Sequence, residues 1–411
     1  MERRAPAERR TPTGSLQANQ DLRLFLVAGE HSGDALGGPL MAALNARCKG
    51  RVHYLGVGGE QMEHEGLASQ FPLSDVAVMG PLSILPRLPR IIARVRRTAA
   101  AAVAAEPDAV VIIDAPEFTH PIAKRIRKRA PSIPIIDYVS PSVWAWRPGR
   151  ARKMRRYVDH VLALLPFEPD VHRRLGGPAC TYVGHPLIER LDRLRDLDPW
   201  PLADSLQLDP NRLVLVVLPG SRTSEVGRLM QPFGATMELL RRRGLDPQVI
   251  VPVVPGVRAL VERGLQSWPV RPHLVEGETD KFRAFKLAHA ALAASGTVTL
   301  ELALAATPMV VAYRVDGIAA RLRFLLKVQS VVLANLVLGE NAFPEYLQED
   351  CTPENLAGAL ELLLKDTPER RAQTAALARI PERMALDGGT PSDVAADIVL
   401  HYAQHGRKPP R

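Results

Sequence analysis

Cysteine is scarce in this chain of 411 residues: Cys48, Cys180 and Cys351 are odd in number and far apart. That scatter argues against a disulfide framework and a clustered zinc site, and it fits a reducing cytoplasm. Aromatic residues make up only 5% and no RNA- or DNA-binding signature is present, so nucleic acid is not expected as a partner. No apolar run approaches the ~20 residues that a membrane-spanning helix requires. Residues 1–20 are rich in arginine and proline and lack the apolar segment of a secretory signal, so a disordered extension is expected there. The turn after the first strand is not Gly-x-Gly-x-x-Gly, which removes the dinucleotide fingerprint. The single Asp-x-Asp, Asp196-Leu197-Asp198, falls in a charged stretch and not after a strand. It reads as solvated surface, and sugar transfer that depends on a metal loses its usual anchor. No metal site and no cofactor are expected.

What is present is an ordinary globular composition, 46% hydrophobic and 24% charged, with a net charge of +9. That balance favours anionic partners: phosphorylated ligands or acidic lipid surfaces. Short apolar strands alternate with amphipathic helices, the pattern of an α/β protein with parallel sheets. Strands are expected at Leu22–Ala28, Val52–Val57, Ala109–Ile113, Ile133–Val139, Val161–Leu164 and Thr181–Val183. The intervening helices are expected near Gly33–Arg47, Leu88–Ala105, Pro121–Arg129 and Gly149–Tyr157. A charged, proline-containing linker over 187–211 follows, and strands restart at Leu213–Leu218, Gln248–Val253, Pro272–Val275, Ala290–Ala294 and Pro308–Tyr313. Two Rossmann-like domains, 21–186 and 212–352, would then face each other across a cleft, with helices over 353–411.

Ligands of parallel sheets sit at the carboxyl ends of strands, so the residues there carry the chemistry. The loop after Ile133–Val139 holds Ser140, Ser142, Trp144 and Trp146, then the basic run Arg147, Arg150, Arg152, Lys153, Arg155 and Arg156. It suits a sugar or phosphate, and it equally suits tryptophans packed in a core. Glu30, Ser32, Gly33 and Asp34 follow the first strand; small residues there allow close backbone approach, while Ser32 or Asp34 can simply cap the helix. Asp114 ends the strand Ala109–Ile113, where partial burial would suit a general base, and helix capping is the plainer alternative. Gly220, Ser221 and Arg222 form a turn whose amides can cradle an anion, with Arg222 adding a charge for a diphosphate. Ser295, Gly296 and Thr297 repeat that design, and Glu301, one helical turn on, can reach a ribose diol. Ala77–Arg97 interleaves apolar residues with arginines and fits either an anionic membrane surface or an amphipathic core helix.

Taken jointly and in order, "AGEHSGD", "GVGGEQMEHEG", "IDAPEF", "YVSPSVWAWR", "LPFEPD", "VGHPL", "LPGSR", "ASGTVTLE", "PMVVAYRV" and "PEYLQ" resemble the lipid-A-disaccharide synthase family. The resemblance implies a GT-B glycosyltransferase that works without metal and inverts the anomeric carbon. Its substrates would be UDP-2,3-diacylglucosamine and 2,3-diacylglucosamine 1-phosphate, its products the β-1,6-linked disaccharide of lipid A and UDP. By motif, Asp114 or Glu30 would be the base and Arg222 would hold the diphosphate. Gly220, Ser221, Ser295, Gly296, Thr297 and Glu301 would hold the nucleotide. Ser32, Gly33, Ser140, Ser142, Trp144 and Asn335 would face the acceptor. The resemblance further implies a cytoplasmic protein in peripheral contact with anionic inner-membrane lipid; a homodimer stays open. "EFT" at Glu117–Thr119 stands where the family usually has Asp-Phe-Asn, and "LANL" replaces Leu-Pro-Asn-Leu around Asn335. A UDP-N-acetylglucosamine epimerase or hydrolase of the same fold, or a non-catalytic UDP-sugar-binding protein, are the alternatives.

Overall fold

The computed structural model describes residues 21–76, 88–315 and 330–407, the side chains of 192 and 193 excepted. Strands covered on both faces are built from unbroken apolar runs. The first sheet contains β1 (Leu22–Ala28), β2 (Val52–Val57), β3 (Ala68–Ser69), β4 (Ala109–Ile113), β5 (Ile135–Tyr138), β6 (His160–Ala163) and β7 (Ala179–Tyr182). Its spatial order is β3-β2-β1-β4-β5-β6-β7. The second contains β8 (Val214–Leu218), β9 (Gln248–Val253), β10 (His273–Glu276), β11 (Ala290–Ala294), β12 (Met309–Tyr313) and β13 (Glu345–Leu347), in the order β10-β9-β8-β11-β12-β13.

Both sheets are parallel, and each reverses its winding once, at β1/β4 and at β8/β11. Loops leaving such a pair diverge to opposite faces and open a crevice. Register decides which residues meet there. Ala28 pairs with Ile113, so Gly29 and Asp114 leave the first sheet side by side. Leu218 pairs with Ala293, which brings Gly220 and Ser295 to the matching place in the second.

Alternate residues of β8 point to opposite faces. Val216 packs with Ile250, Phe282 and Phe343, while Leu215 and Val217 pack with Phe233 and Leu360. The stretch expected as an irregular linker instead holds three short helices, Pro186–Glu189, Leu191–Asp196 and Trp200–Ser205, and its Leu187, Leu191 and Leu202 join the second core. Asp198 accepts from the Trp200 amide and caps the last of them.

The tail divides between the two sheets. Helix Pro353–Leu364 packs on the second, whereas Pro391–His405 returns to the first and buries Ala395, Val399 and Tyr402 in its core. There Tyr402 Oη lies 3.1 Å from His160 Nδ1, and Arg47 pairs with Asp393 at 2.7 Å and Asp397 at 2.5 Å. Tyr182 donates to the Met384 carbonyl at 2.7 Å, tying together the two places where the chain crosses between halves.

Of the segment expected at the membrane, helix Leu88–Ala105 is described and 77–87 lie outside the described residues, as do residues 1–20. No helix among the described residues is long and apolar enough to cross a membrane.

Candidate active site

At the first switch point, two glycines bring the loops together. A Cβ on Gly29 would stand 2.6 Å from the Ala115 Cβ, and one on Gly33 would stand 3.0 Å from the Ile113 carbonyl oxygen. With both absent, Ser32 Oγ reaches Asp114 Oδ2 and donates to it at 2.5 Å. Asp114 and Ala115 lie in succession in the left-handed region, at φ 54° and 42°, a conformation that non-glycine residues adopt only when their surroundings impose it. Part of that imposition comes from Thr119, whose hydroxyl donates to the Asp114 carbonyl at 2.8 Å. Glu30 stands exposed beside this pair. Partial burial and then the Asp114 charge push the Glu30 carboxyl above its usual range, while Arg222 and His31 pull it down. Arg222 belongs to the other sheet, so the two switch points share one electrostatic field. Asp34 caps neither its own helix nor a ligand. Its buried carboxylate accepts from the amides of Gly59, Gln61 and Met62, at the start of helix Glu60–His64.

A cavity of about 690 Å³ opens between the sheets. From the first half it is lined by Val139, Ser140, Ser142, Trp144, Trp146, Leu164, Leu165, Glu168 and His185; from the second by Arg222, Glu225, Ser295, Gly296, Thr297, Tyr313 and Leu333, among others. The tryptophan loop and both turns of the second half therefore meet in one space. Val139 enters the loop at φ 86°, an outlier for a β-branched residue. Trp144 packs edge-on against Phe167, with ring centroids 5.6 Å apart, and donates to Glu168 Oε1 at 3.2 Å. It is half-buried on the cavity wall, so core packing and wall are one role. Arg147 lies over the Trp146 ring at 4.5 Å, and Arg150 pairs with Glu117 at 2.5 Å. Arg152, Lys153, Arg155 and Arg156 stay exposed.

Three expected features of the site are placed differently. The amides of Ser221 and Arg222 do not form an open cradle: Glu225 Oε2 accepts from both at 3.2 Å, and Glu225 Oε1 accepts from the Arg222 guanidinium at 3.2 Å. The buried Glu225 carboxylate occupies the helix N-terminus as a built-in anion, and the Arg222 side chain stays 69% exposed. Glu301 is not among the residues lining the cavity; both its oxygens are held by Lys281, at 2.9 and 2.8 Å. Asn335 is not among the residues lining the cavity. It is buried in the second half, where it donates to the Phe343 carbonyl at 2.9 Å, accepts from the Phe343 amide at 2.9 Å, and donates to Ser330 at 3.2 Å. Its amide staples the segment from which Val331 and Leu333 reach the cavity. Ser295 keeps its place in the wall, its hydroxyl donating to the Val331 carbonyl at 2.7 Å.

Sequence reading passed over Glu225, Glu168 and His185. A glutamate three residues past Arg222 was a capping-box signal. Glu168 lay within "LPFEPD", but nothing in that string shows a buried carboxylate under Trp144. Burial pushes the Glu168 carboxyl up to about 7, although the Leu165 amide and the Trp144 indole favour its charged form. Beside it, Ser140 Oγ lies 2.9 Å from His172 Nε2, and His120 faces Asp137 at 3.1 Å.

A family model described as lipid-A-disaccharide synthetase matches residues 24–387. The chain is 52% identical over 394 residues to the lipid-A-disaccharide synthase of Nitrobacter hamburgensis, covering 95% of this chain and 98% of that one. It is 53% identical over 380 residues to that of Rhodopseudomonas palustris strain HaA2, covering 92% and 96%. Among solved structures, UDP-GlcNAc 2-epimerase from Neisseria meningitidis bound to UDP-GlcNAc aligns with a TM-score of 0.64 at 14% identity, over 92% of this chain and all of that one. Acinetobacter baumannii MurG aligns with 0.54 at 13% identity, over 92% and 99%. At such identities these likenesses establish the two-sheet fold alone.

The Glu168 carboxyl makes one direct prediction. Its folded value, about 7, lies above the ordinary 4.5, so the folded state binds the proton more tightly and loses stability as pH rises from about 4.5 through about 7. Glu168→Gln should show a smaller fall in melting temperature between pH 5 and pH 8 than the wild type. An equal fall contradicts the assignment. Matched over residues 24–387, the chain belongs to the lipid-A-disaccharide synthetase family.

Proposed function

We propose that the cleft joins UDP-2,3-diacylglucosamine to 2,3-diacylglucosamine 1-phosphate, with inversion, as the residues at its two switch points allow. The acceptor 6-hydroxyl attacks the anomeric carbon, its proton passes to Asp114, and the glycosidic bond to UDP breaks. Ser32 holds one oxygen of Asp114, which leaves the other for the acceptor. Glu30, the second carboxylate, lies on the acceptor side. Arg222 takes charge developing on departing UDP, and Ser295, Gly296 and Thr297 line the nucleotide side. Ser140, Ser142 and Trp144 form the facing wall. The observation that carries this reading is the Ser32–Asp114 pair beside Glu30, with Arg222 acting on Glu30 from across the cleft.

The substrates carry acyl chains, and the chain offers a surface suited to a bilayer. Helix Leu88–Ala105 exposes Leu88 and Ile92 together with Arg90, Arg96 and Arg97. Apolar residues next to cations favour peripheral contact with anionic inner-membrane lipid from the cytoplasmic side.

UDP release from UDP-diacylglucosamine should depend on the monosaccharide phosphate; release that ignores the acceptor contradicts transfer. Asp114→Ala should lower turnover by about 10²-fold or more, and near-normal turnover removes its role as base. Arg222→Ala should weaken UDP binding by about 1.5–3 kcal/mol, the contribution of a charged hydrogen bond. Titration calorimetry reads this, and unchanged affinity contradicts the assignment.

A further inference from the structure

His185 stands where the chain leaves the first sheet for the second. Pro186 follows, which holds His185 extended, at φ −96° and ψ 139°. Gly184 precedes it at φ 88°, and a Cβ there would come within 2.8 Å of both Leu386 and Pro391. The backbone is thus pinned beneath the returning tail. The imidazole Nδ1 accepts from the Leu187 amide at 3.2 Å, which leaves the ring proton on Nε2. The Nδ1 bond is the one side-chain hydrogen bond of His185 among the described residues, and the ring lines the cavity shared with Arg222, Ser295 and Thr297. Burial pushes the imidazole down to about 4, so at neutral pH it is uncharged and donates from Nε2 alone.

The charges of the cavity wall show what such a donor meets. Arg222 is the one cation among the described lining residues, and Glu168 and Glu225 are its carboxylates. The Ser221 and Arg222 amides are already taken by Glu225. A nucleoside diphosphate entering this space needs N–H donors beyond Arg222, and a fixed neutral one adds no charge for Glu168 or Glu225 to neutralise.

We propose that His185 is a ligand-binding residue whose Nε2–H donates to a phosphate oxygen of the nucleoside diphosphate. The assignment rests on the cleft being a UDP-sugar site. Two variants separate the two edges of the ring. Asparagine places an acceptor near Nδ1 and nothing at Nε2; glutamine places an amide N–H near Nε2 and gives up the cap on Leu187.

Binding of UDP and of uridine is measured by calorimetry on the full chain, with melting temperatures alongside. His185→Asn is expected to melt like the wild type, to bind UDP about tenfold more weakly, the loss of one hydrogen bond to a charged group, and to bind uridine unchanged. His185→Gln is expected to stay within about threefold of wild-type UDP affinity. Unchanged UDP affinity in His185→Asn overturns the proposal. So does equal weakening of UDP and uridine, or a glutamine variant as weak as the asparagine one. If the wild type itself fails to bind UDP, the nucleotide reading of the cleft fails first, which is a distinct result.

Discussion

The 2.5 Å hydrogen bond from Ser32 to Asp114 depends on a close approach that few residues permit. Gly29 and Gly33 let the β1 loop lie against Ala115 and the end of β4, and parallel register sets Ala28 beside Ile113. Asp114 and Ala115 accept left-handed backbone in return, at a cost of about 1–3 kcal/mol each. Thr119 fastens this turn from the following helix by donating to the Asp114 carbonyl. Strain at a strand end, held by neighbours, turns a carboxylate toward solvent with one oxygen already engaged.

Among the described residues that line the cavity, the second half answers with one cation, Arg222. Arg222 lowers the Glu30 carboxyl that burial and Asp114 raise, so acid groups and guanidinium belong to different sheets but to one field. The two chain crossings are joined by Tyr182, which donates to the Met384 carbonyl. The cavity between the sheets joins a wall from the tryptophan loop to a wall from the β11 turn. Glu225 fills the anion site that the Gly220 turn would otherwise offer, taking the Ser221 and Arg222 amides, so that this turn presents the Arg222 side chain to the cavity.

β4 and β11 were legible because burial on both faces leaves an unbroken apolar run, and both end where that run ends. The two-residue β3 and three-residue β13 carry too little pattern, and they exist because a neighbouring strand offers an edge. Helix Pro116–Arg129 begins five residues before the expected Pro121, since Pro116 already opens the first turn, where a missing N–H costs nothing. The short helices after β7 were hidden by prolines and charge, their leucines being read only by the core they enter. At the site, Ser32, Asp114, Arg222 and Ser295 were legible from strand ends alone. Partnership was not: Lys281 claims Glu301, Phe343 claims Asn335, and Glu225 claims the turn amides. No spacing in the sequence reports the bonds to Lys281 and Phe343, and the Glu225 bond is signalled only by its capping-box spacing.

The account centres on Asp114 as the group through which Ser32 acts, and a double-mutant cycle tests that dependence. Turnover of disaccharide formation would be measured for Ser32→Ala, Asp114→Asn and the pair. Ser32→Ala alone should lower kcat about tenfold, the loss of one hydrogen bond to a charged group. In the Asp114→Asn background the same change should have almost no further effect. An undiminished tenfold loss in that background would show that Ser32 acts independently of Asp114, and would contradict the account.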